Sequence, residues 1–467
     1  MKRLGIFASL VCAACGAPGS STPDAGAGDT DAHVVDVDAP PAVWTTDPAA
    51  CTAVLDAIYT IPSTIPARGT IVACALGEAL DLQAAQGALT AAGAEGVVAT
   101  TGVRIVKLSY ATVRGDGSPA VTSATAYLPQ TPRGGVPVVL VGRSTSGLAD
   151  GCAPSKEARP QPNLALPFGA RGFVTITPDF AGLGNPGTHA YLDNHEAAAQ
   201  LFDGARALAN LQGPGVVGAP VAAVGYSQGG GIVLSAQALE HAITGARTLK
   251  AVAAIAPEWP ISTRSFGYED VLRNPDRLTG LAGLAPPTVT VLRHYGYFAN
   301  RVGAANAGDS FPATERTSIT NSIESLCTVP LGGALGAQQT RLRDLVDPTF
   351  RAQVLACIDG APGCTGAGQA FHAWLVSDFV TADPAGARVL IAQGLADQVM
   401  PAAGEAACDV AKLRAEGVEP ALCVDNLATH DTVLERRIED VAAWIEAVVT
   451  GGTEPACASR VLPACSR

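Results

Sequence analysis

Residues 220–235 read PVAAVGYSQGGGIVLS. An apolar run of strand length stops at Gly-x-Ser-x-Gly and passes at once into a run suited to a helix. A chain makes that passage only by a very tight turn. Ser227 at its tip then takes a strained backbone conformation with its hydroxyl exposed. Side chains two positions away on either side would strike the neighbouring strand and helix, and Gly225 and Gly229 have none. Gly230 and Gly231 extend the relief and let the helix pack close to the sheet. The unpaired N–H groups of the first helical turn point at the reacting centre. A glycine-rich phosphate loop does not fit, because no Gly-Lys-Ser/Thr follows and no acidic residue ends the next strand.

The pattern around this turn is an alternation of buried strands and helices. Strand patterns occupy 136–142, 173–179, 220–225, 249–257, 387–397 and 419–424. Helical spacing is found over 196–211, from Ser227 to about 243, near 403–416 and over 432–449. This predicts an α/β fold with a mostly parallel sheet and helices on both faces. Ahead of it, 103–113 and 120–129 form a β-hairpin around the turn RGDGS. Arg114-Gly115-Asp116 is read as part of that turn and not as an adhesion motif. Residues 48–100 are read as short helical pieces and loops. Between about 259 and 386 the alternation stops, and the stretch is too long for a loop in a compact domain. It is read as an inserted, mainly helical cap, leaving 44–258 and 387–450 as the core.

A serine hydroxyl is a poor nucleophile near neutral pH and needs a base, itself oriented by an acid. In this kind of fold the three follow in the order Ser, acid, His, each after a strand. Of seven histidines, only His430 follows the strand at 419–424, in NLATHDTV before the last helix. The acid expected after the preceding strand is Asp397, in VLIAQGLADQVMP. Asp378 and Asp383 are rivals but precede that strand, and Asp431 adjoins His430 and would point the wrong way.

A formal charge of −12 with no basic cluster excludes a nucleic-acid surface. Residues 1–15 read as an export signal: Lys2 and Arg3, an apolar run too short to span a bilayer, and small residues before Cys15. CAACG at 12–16 resembles a bacterial lipobox, in which Cys15 would be lipidated; plain secretion is the alternative. The chain is therefore expected outside the cytoplasm, meeting a membrane only through an N-terminal lipid anchor. Residues 16–43 hold five Asp and no Lys, Arg or Phe/Tyr, and are read as a disordered tether. Ten further cysteines, an even count, suggest disulfides in an exported chain. None has zinc-site spacing, and no metal or cofactor is expected. Residues 451–467, with Cys457 and Cys465, read as a disulfide-pinned tail.

Three further stretches carry a resemblance. TPDFAGLGNPG (177–187), TSGLADGCAPS (145–155) and LFDGARAL (201–208) occur in the order found in the secretory lipase family, the lipase A type of α/β-hydrolase. The resemblance covers roughly 100–450. It implies a serine hydrolase acting on acyl or lipid esters, with Ser227, Asp397 and His430 as triad and a helical lid. It also implies an oxyanion hole built from the Gln228 N–H and a second donor near Thr145 and Ser146. Many relatives read His-Gly-Thr where this chain has Arg143-Ser144-Thr145, so the second donor stays open. A serine peptidase or aminopeptidase on the same fold, and a catalytically dead lipid-binding lipoprotein, are the competing readings. The resemblance favours a Cys152–Cys327 disulfide. Short spacing alone suggests Cys357–Cys364, Cys408–Cys423 and Cys457–Cys465, leaving Cys51–Cys74. Apolar residues of the cap, among them Phe266, Phe298 and Phe371, are candidates to line an acyl groove.

Overall fold

Parallel strands that are covered on both faces must be apolar throughout, and the central strands of this chain are. The computed structural model describes residues 43–159, 163–260, 266–274, 285–338, 344–455, 457 and 462–465. The export signal, Cys15 and nearly all of the tether therefore lie outside the described residues. Nine strands form one sheet: β1 Ile71–Leu80, β2 Val103–Val113, β3 Pro119–Pro129, β4 Val138–Gly142, β5 Val174–Pro178, β6 Pro220–Tyr226, β7 Ala251–Ile255, β8 Arg388–Gly394 and β9 Ala421–Asp425. Their order is β1-β2-β3-β5-β4-β6-β7-β8-β9. The pairs from β1 to β5 are antiparallel, and all pairs from β5 through β4 to β9 are parallel. This is the α/β-hydrolase arrangement.

The helices are α1 Leu82–Ala91, α2 Leu166–Gly169, α3 Asn194–Gln212, α4 Gln228–Thr244, α5 Phe266–Arg273, α6 Ala285–Tyr297, α7 Arg316–Ser325, α8 Thr328–Gln338, α9 Pro348–Ile358, α10 Gly366–Asp378, α11 Ala407–Ala415 and α12 His430–Thr450. One core packs α3 and α4 on the sheet through Leu201, Phe202, Ile232 and Val233. A second covers the other face with Leu89 of α1 and Val441, Trp444 and Ile445 of α12. Helices α5–α10 all lie between β7 and β8 and share a third core, which Leu148, Tyr191 and Leu192 join from outside the insertion. Among the described residues no helix is long and apolar enough to cross a membrane.

Strand β1 was not expected, because 48–100 read as helical pieces and loops. Its sequence, IVACALGEAL, mixes alanine, leucine and glycine without strict alternation. It sits at the sheet edge, and its pairing with β2 shifts register twice. The pairing, not the pattern, makes it a strand. Two suggested disulfides are also corrected: Cys408 pairs with Cys465 and Cys423 with Cys457. The C-terminal tail turns back onto the domain, so both of its cysteines find distant partners rather than each other. Cys51–Cys74, Cys152–Cys327 and Cys357–Cys364 are paired as expected. Phe298 and Phe371 are buried inside the third core, 5.5–5.6 Å from the Phe350 ring (centroid to centroid). They pack the insertion itself rather than an open groove. The side chain of Phe266 lies outside the described residues.

Candidate active site

In open α/β sheets, sites form beyond the carboxyl ends of the strands where the strand order reverses. Here β4 connects to β5 on one side while its other neighbour, β6, connects to β7 on the opposite side, so the order reverses between β4 and β6. Ser227 follows β6, Asp397 lies just past β8, and His430 follows β9 at the start of α12. All three side chains meet at that end of the sheet.

Ser227 has φ 56° and ψ −118°, the left-handed strain expected of a serine on a strand-to-helix turn. Its N–H donates to Ile255 O at 2.9 Å, and its carbonyl accepts from Glu258 N at 3.0 Å. The glycines fit their role. A Cβ on Gly225 would lie 2.0 Å from Gly229 O, and one on Gly229 would lie 2.0 Å from Gly142 O. At Gly230 it would meet Pro257 at 2.8 Å, and at Gly231 Glu258 O at 2.6 Å.

His430 Nε2 lies 2.9 Å from Ser227 Oγ, and His430 Nδ1 lies 2.9 Å from Asp397 Oδ2. Asp397 Oδ1 accepts from Val399 N and Met400 N, both at 2.8 Å, and Oδ2 accepts from Gln393 Nε2 at 3.2 Å. These donors fix the carboxylate and keep it aimed at the imidazole. Thr429 and Thr432 form a capping box that starts α12 at His430. Tyr226 OH donates to His430 O at 2.9 Å. His430 is thus held by backbone and side chain together.

The rival acids are elsewhere. Asp378 accepts from Asn194 N, Asn194 Nδ2 and His195 N at 2.9–3.2 Å, capping α3 from the end of α10. Asp383 pairs with Arg247 at 2.7 Å. The RGD triplet is tied down: Arg114 donates to Ala181 O and Thr188 O at 2.8 Å, and Gly115 N donates to Glu196 at 2.7 Å.

The N–H of Gln228 belongs to the first turn of α4, whose N–H groups have no partner within the helix. The loop after β4 runs beside it, since the Gly229 position abuts the carbonyls of Gly142 and Arg143. Thr145 Oγ1 lies 2.7 Å from Tyr191 OH, and Ser146 O accepts from Thr328 N at 3.0 Å. The Cys152–Cys327 bridge fastens the same loop to the insertion, next to an isolated pairing of Gly147 with Cys327. Arg143 is buried under the loop: Nη1 donates to Ser144 O at 2.7 Å and Ser146 Oγ at 2.8 Å, and Nη2 to Asp179 O at 3.2 Å. Burial lowers its pKa to about 10, so it remains a cation at neutral pH.

Sequence reasoning noted Arg143 only as a departure and missed Gln393, Tyr191 and His189. Gln228 Nε2 donates to His189 Nε2 at 3.0 Å. The polar residues of GTHAYLDN inside an otherwise buried segment were the available signal. The described groups nearest to a metal-ligand set, Cys423, Asp440 and Cys457, include both sulfurs of a disulfide.

No family model matches the sequence, and no curated protein matches it. Solved structures do. The rice cell wall degrading esterase LipA of Xanthomonas oryzae superposes with a TM-score of 0.60 at 19% identity, covering 82% of this chain and 97% of that one. Lipase A of Candida antarctica gives 0.62 at 17% identity, with 88% and 89% covered. A Legionella pneumophila protein gives 0.66 at 18% identity, with 81% and 98% covered. At these identities the likeness is one of fold. The chain has the fold of the lipase A type of α/β-hydrolase.

Proposed function

We propose that this chain is an exported carboxylic ester hydrolase that works through Ser227, His430 and Asp397. The observation that carries the reading is the continuous hydrogen-bonded row from Ser227 Oγ through His430 to Asp397, with 2.9 Å at each step. Ser227 Oγ attacks the ester carbonyl while His430 Nε2 takes its proton, and Asp397 stabilises the imidazolium. The tetrahedral oxyanion accepts hydrogen bonds from the Gln228 N–H and from the Thr145–Ser146 loop, with the buried Arg143 cation beneath. The imidazolium then protonates the leaving alcohol, an acyl-enzyme remains on Ser227, and water reverses the steps. Two of the three structures that share this fold carry the names esterase or lipase, which supports an acyl ester or lipid as substrate.

In this reading 44–258 and 387–450 are the catalytic core, and 259–386 is a cap over the strand ends. Five disulfides support export, because such bonds persist in oxidising compartments. Residues 1–15 would direct export, Cys15 would carry a lipid anchor, 16–43 would be the tether, and 451–467 a pinned tail.

The test is a pair of measurements on the exported protein. A fluorophosphonate should label Ser227 and abolish turnover of an aryl acetate. An aminoacyl anilide turned over faster than the ester would move the reading to a peptidase, and absence of both labelling and turnover would end it.

A further inference from the structure

Residues His189, Ala190 and Tyr191 form a short buried segment between α4, the loop after β4 and helix α6. His189 Nε2 accepts from Gln228 Nε2 at 3.0 Å. Two residues on, Tyr191 OH lies 2.7 Å from Thr145 Oγ1. One segment therefore holds a residue from each side of the proposed oxyanion hole. Its outer side is covered by α6: a Cβ on Gly296 would come within 3.1 Å of His189 O and of Tyr191 N.

We propose that His189 and Tyr191 are positioning residues that hold the two sides of the oxyanion hole and seat them against α6, so that the packing of the helical insertion sets the hole's geometry. This rests on the ester-hydrolase reading above.

Packing alone does not account for the two side chains. His189 stacks on Phe180 with centroids 5.6 Å apart, and its Nδ1 has no hydrogen-bond partner among the described residues. An apolar ring would fill that space without the cost of an unpaired polar atom. Burial, then the Arg143 and Arg114 charges, hold the imidazole well below its usual pKa. It therefore acts as a neutral acceptor and not as a charge. The backbone around the segment is costly too: Phe180 and Leu192, both non-glycine, have φ of 73° and 60°. Such strain persists where surrounding structure over-determines it. Here Arg114 Nη2 donates to Thr188 O at 2.8 Å, and Asp193 caps α3 at Glu196 N at 3.0 Å.

The chemistry follows from where the two bonds act. Oxyanion donors help only if they are fixed before charge develops. Gln228 cannot rotate about its own backbone while its amide is tied to His189. Thr145 cannot swing away while its hydroxyl is tied to Tyr191. Loss of either tie should leave substrate binding unchanged and weaken the transition state.

The experiment uses the full exported protein and the variants Tyr191→Phe, Thr145→Ala, their double, and Gly296→Ala. For Tyr191→Phe, kcat on an aryl acetate should fall about tenfold with KM within twofold, a part of the effect of losing a donor outright. Affinity for an alkyl trifluoromethyl ketone, which mimics the tetrahedral adduct, should fall by the same factor. In the Thr145→Ala background Tyr191→Phe should have no further effect. Gly296→Ala, placed in the insertion, should lower kcat in the same pattern while its thermal midpoint stays close to wild type. If Tyr191→Phe and Gly296→Ala keep wild-type kcat and ketone affinity, or lower only the thermal midpoint, the inference is overturned and the ester-hydrolase reading stands. If the wild type turns over no ester, both fall.

Discussion

Arg293 of α6 forms a 2.6 Å ion pair with Glu258, and the backbone N–H of Glu258 donates to the carbonyl of Ser227 at 3.0 Å. Both charged side chains are buried. The insertion is therefore bonded to the residue directly behind Ser227. Removing one member of a buried pair leaves an uncompensated charge, at a cost of about 3–5 kcal/mol. Arg293→Met should lose stability of that order, read as a lower urea midpoint at unchanged slope. Adding Glu258→Gln should restore part of it. An Arg293→Met protein within 1 kcal/mol of wild type (roughly the error of such comparisons) would mean the pair is not sealed from water.

The triad should behave as one unit. Ser227→Ala and His430→Ala should each lower kcat by roughly 10⁴–10⁶, and the double variant hardly further. Asp397→Asn should cost about 10³–10⁴, since the imidazole loses its oriented tautomer. Steady-state kinetics on an aryl acetate decides. If Asp397→Asn kept activity within about threefold, the acid would have to be reassigned, and Asp378, engaged with Asn194 and His195, could not take the place without moving the start of α3.

Two glycines of opposite surroundings give a paired prediction. Gly229→Ala puts a methyl 2.0 Å from Gly142 O, a backbone atom that yields only if β4 and α4 separate. The cost should exceed the roughly 1–3 kcal/mol of ordinary overpacking, and ester turnover should go with it. Gly87 lies within α1 and a Cβ there would meet nothing within 4 Å. Gly87→Ala should raise stability by about 0.5–1 kcal/mol through helix propensity and leave kcat unchanged. Thermal melts of the two variants side by side would expose an error in either placement.

The central strands were legible because burial on both faces leaves no choice but apolar residues, and the Gly-x-Ser-x-Gly turn because its glycines answer to backbone atoms less than 3 Å away. The order Ser227, Asp397, His430 was legible because each follows a recognisable strand. What was not legible depends on contacts far apart in sequence. Strand β1 exists through pairing with β2. Cys408 and Cys423 are tied to a tail 34 to 57 residues away. Phe298 and Phe371 looked alike whether they faced a groove or one another, and only the packed insertion distinguishes these cases. The His189–Gln228 and Tyr191–Thr145 contacts bridge 39 and 46 residues, beyond the reach of any local pattern.

Glu405 should make stability fall as pH rises. Its carboxyl is buried beside Asp409 and Glu258, and burial first, then those carboxylates, push its pKa up to about 8. In the unfolded chain it would titrate near the ordinary value of about 4.3. Below that value both states hold the proton and the group is neutral to stability. Between the two values the unfolded chain releases the proton and the folded one keeps it. The folded state therefore loses up to about 1.4 kcal/mol per pH unit over that window, and the loss stops above the folded pKa. Glu405→Gln keeps the shape of the neutral acid and cannot ionise. Its stability relative to wild type should rise steadily from pH 4.5 to pH 8 and then level off. Urea unfolding of both proteins at several pH values measures that difference directly. A difference that stays constant across the series would show that Glu405 ionises freely in the folded protein, and that the pocket it shares with Asp409, Glu258 and Arg293 admits water.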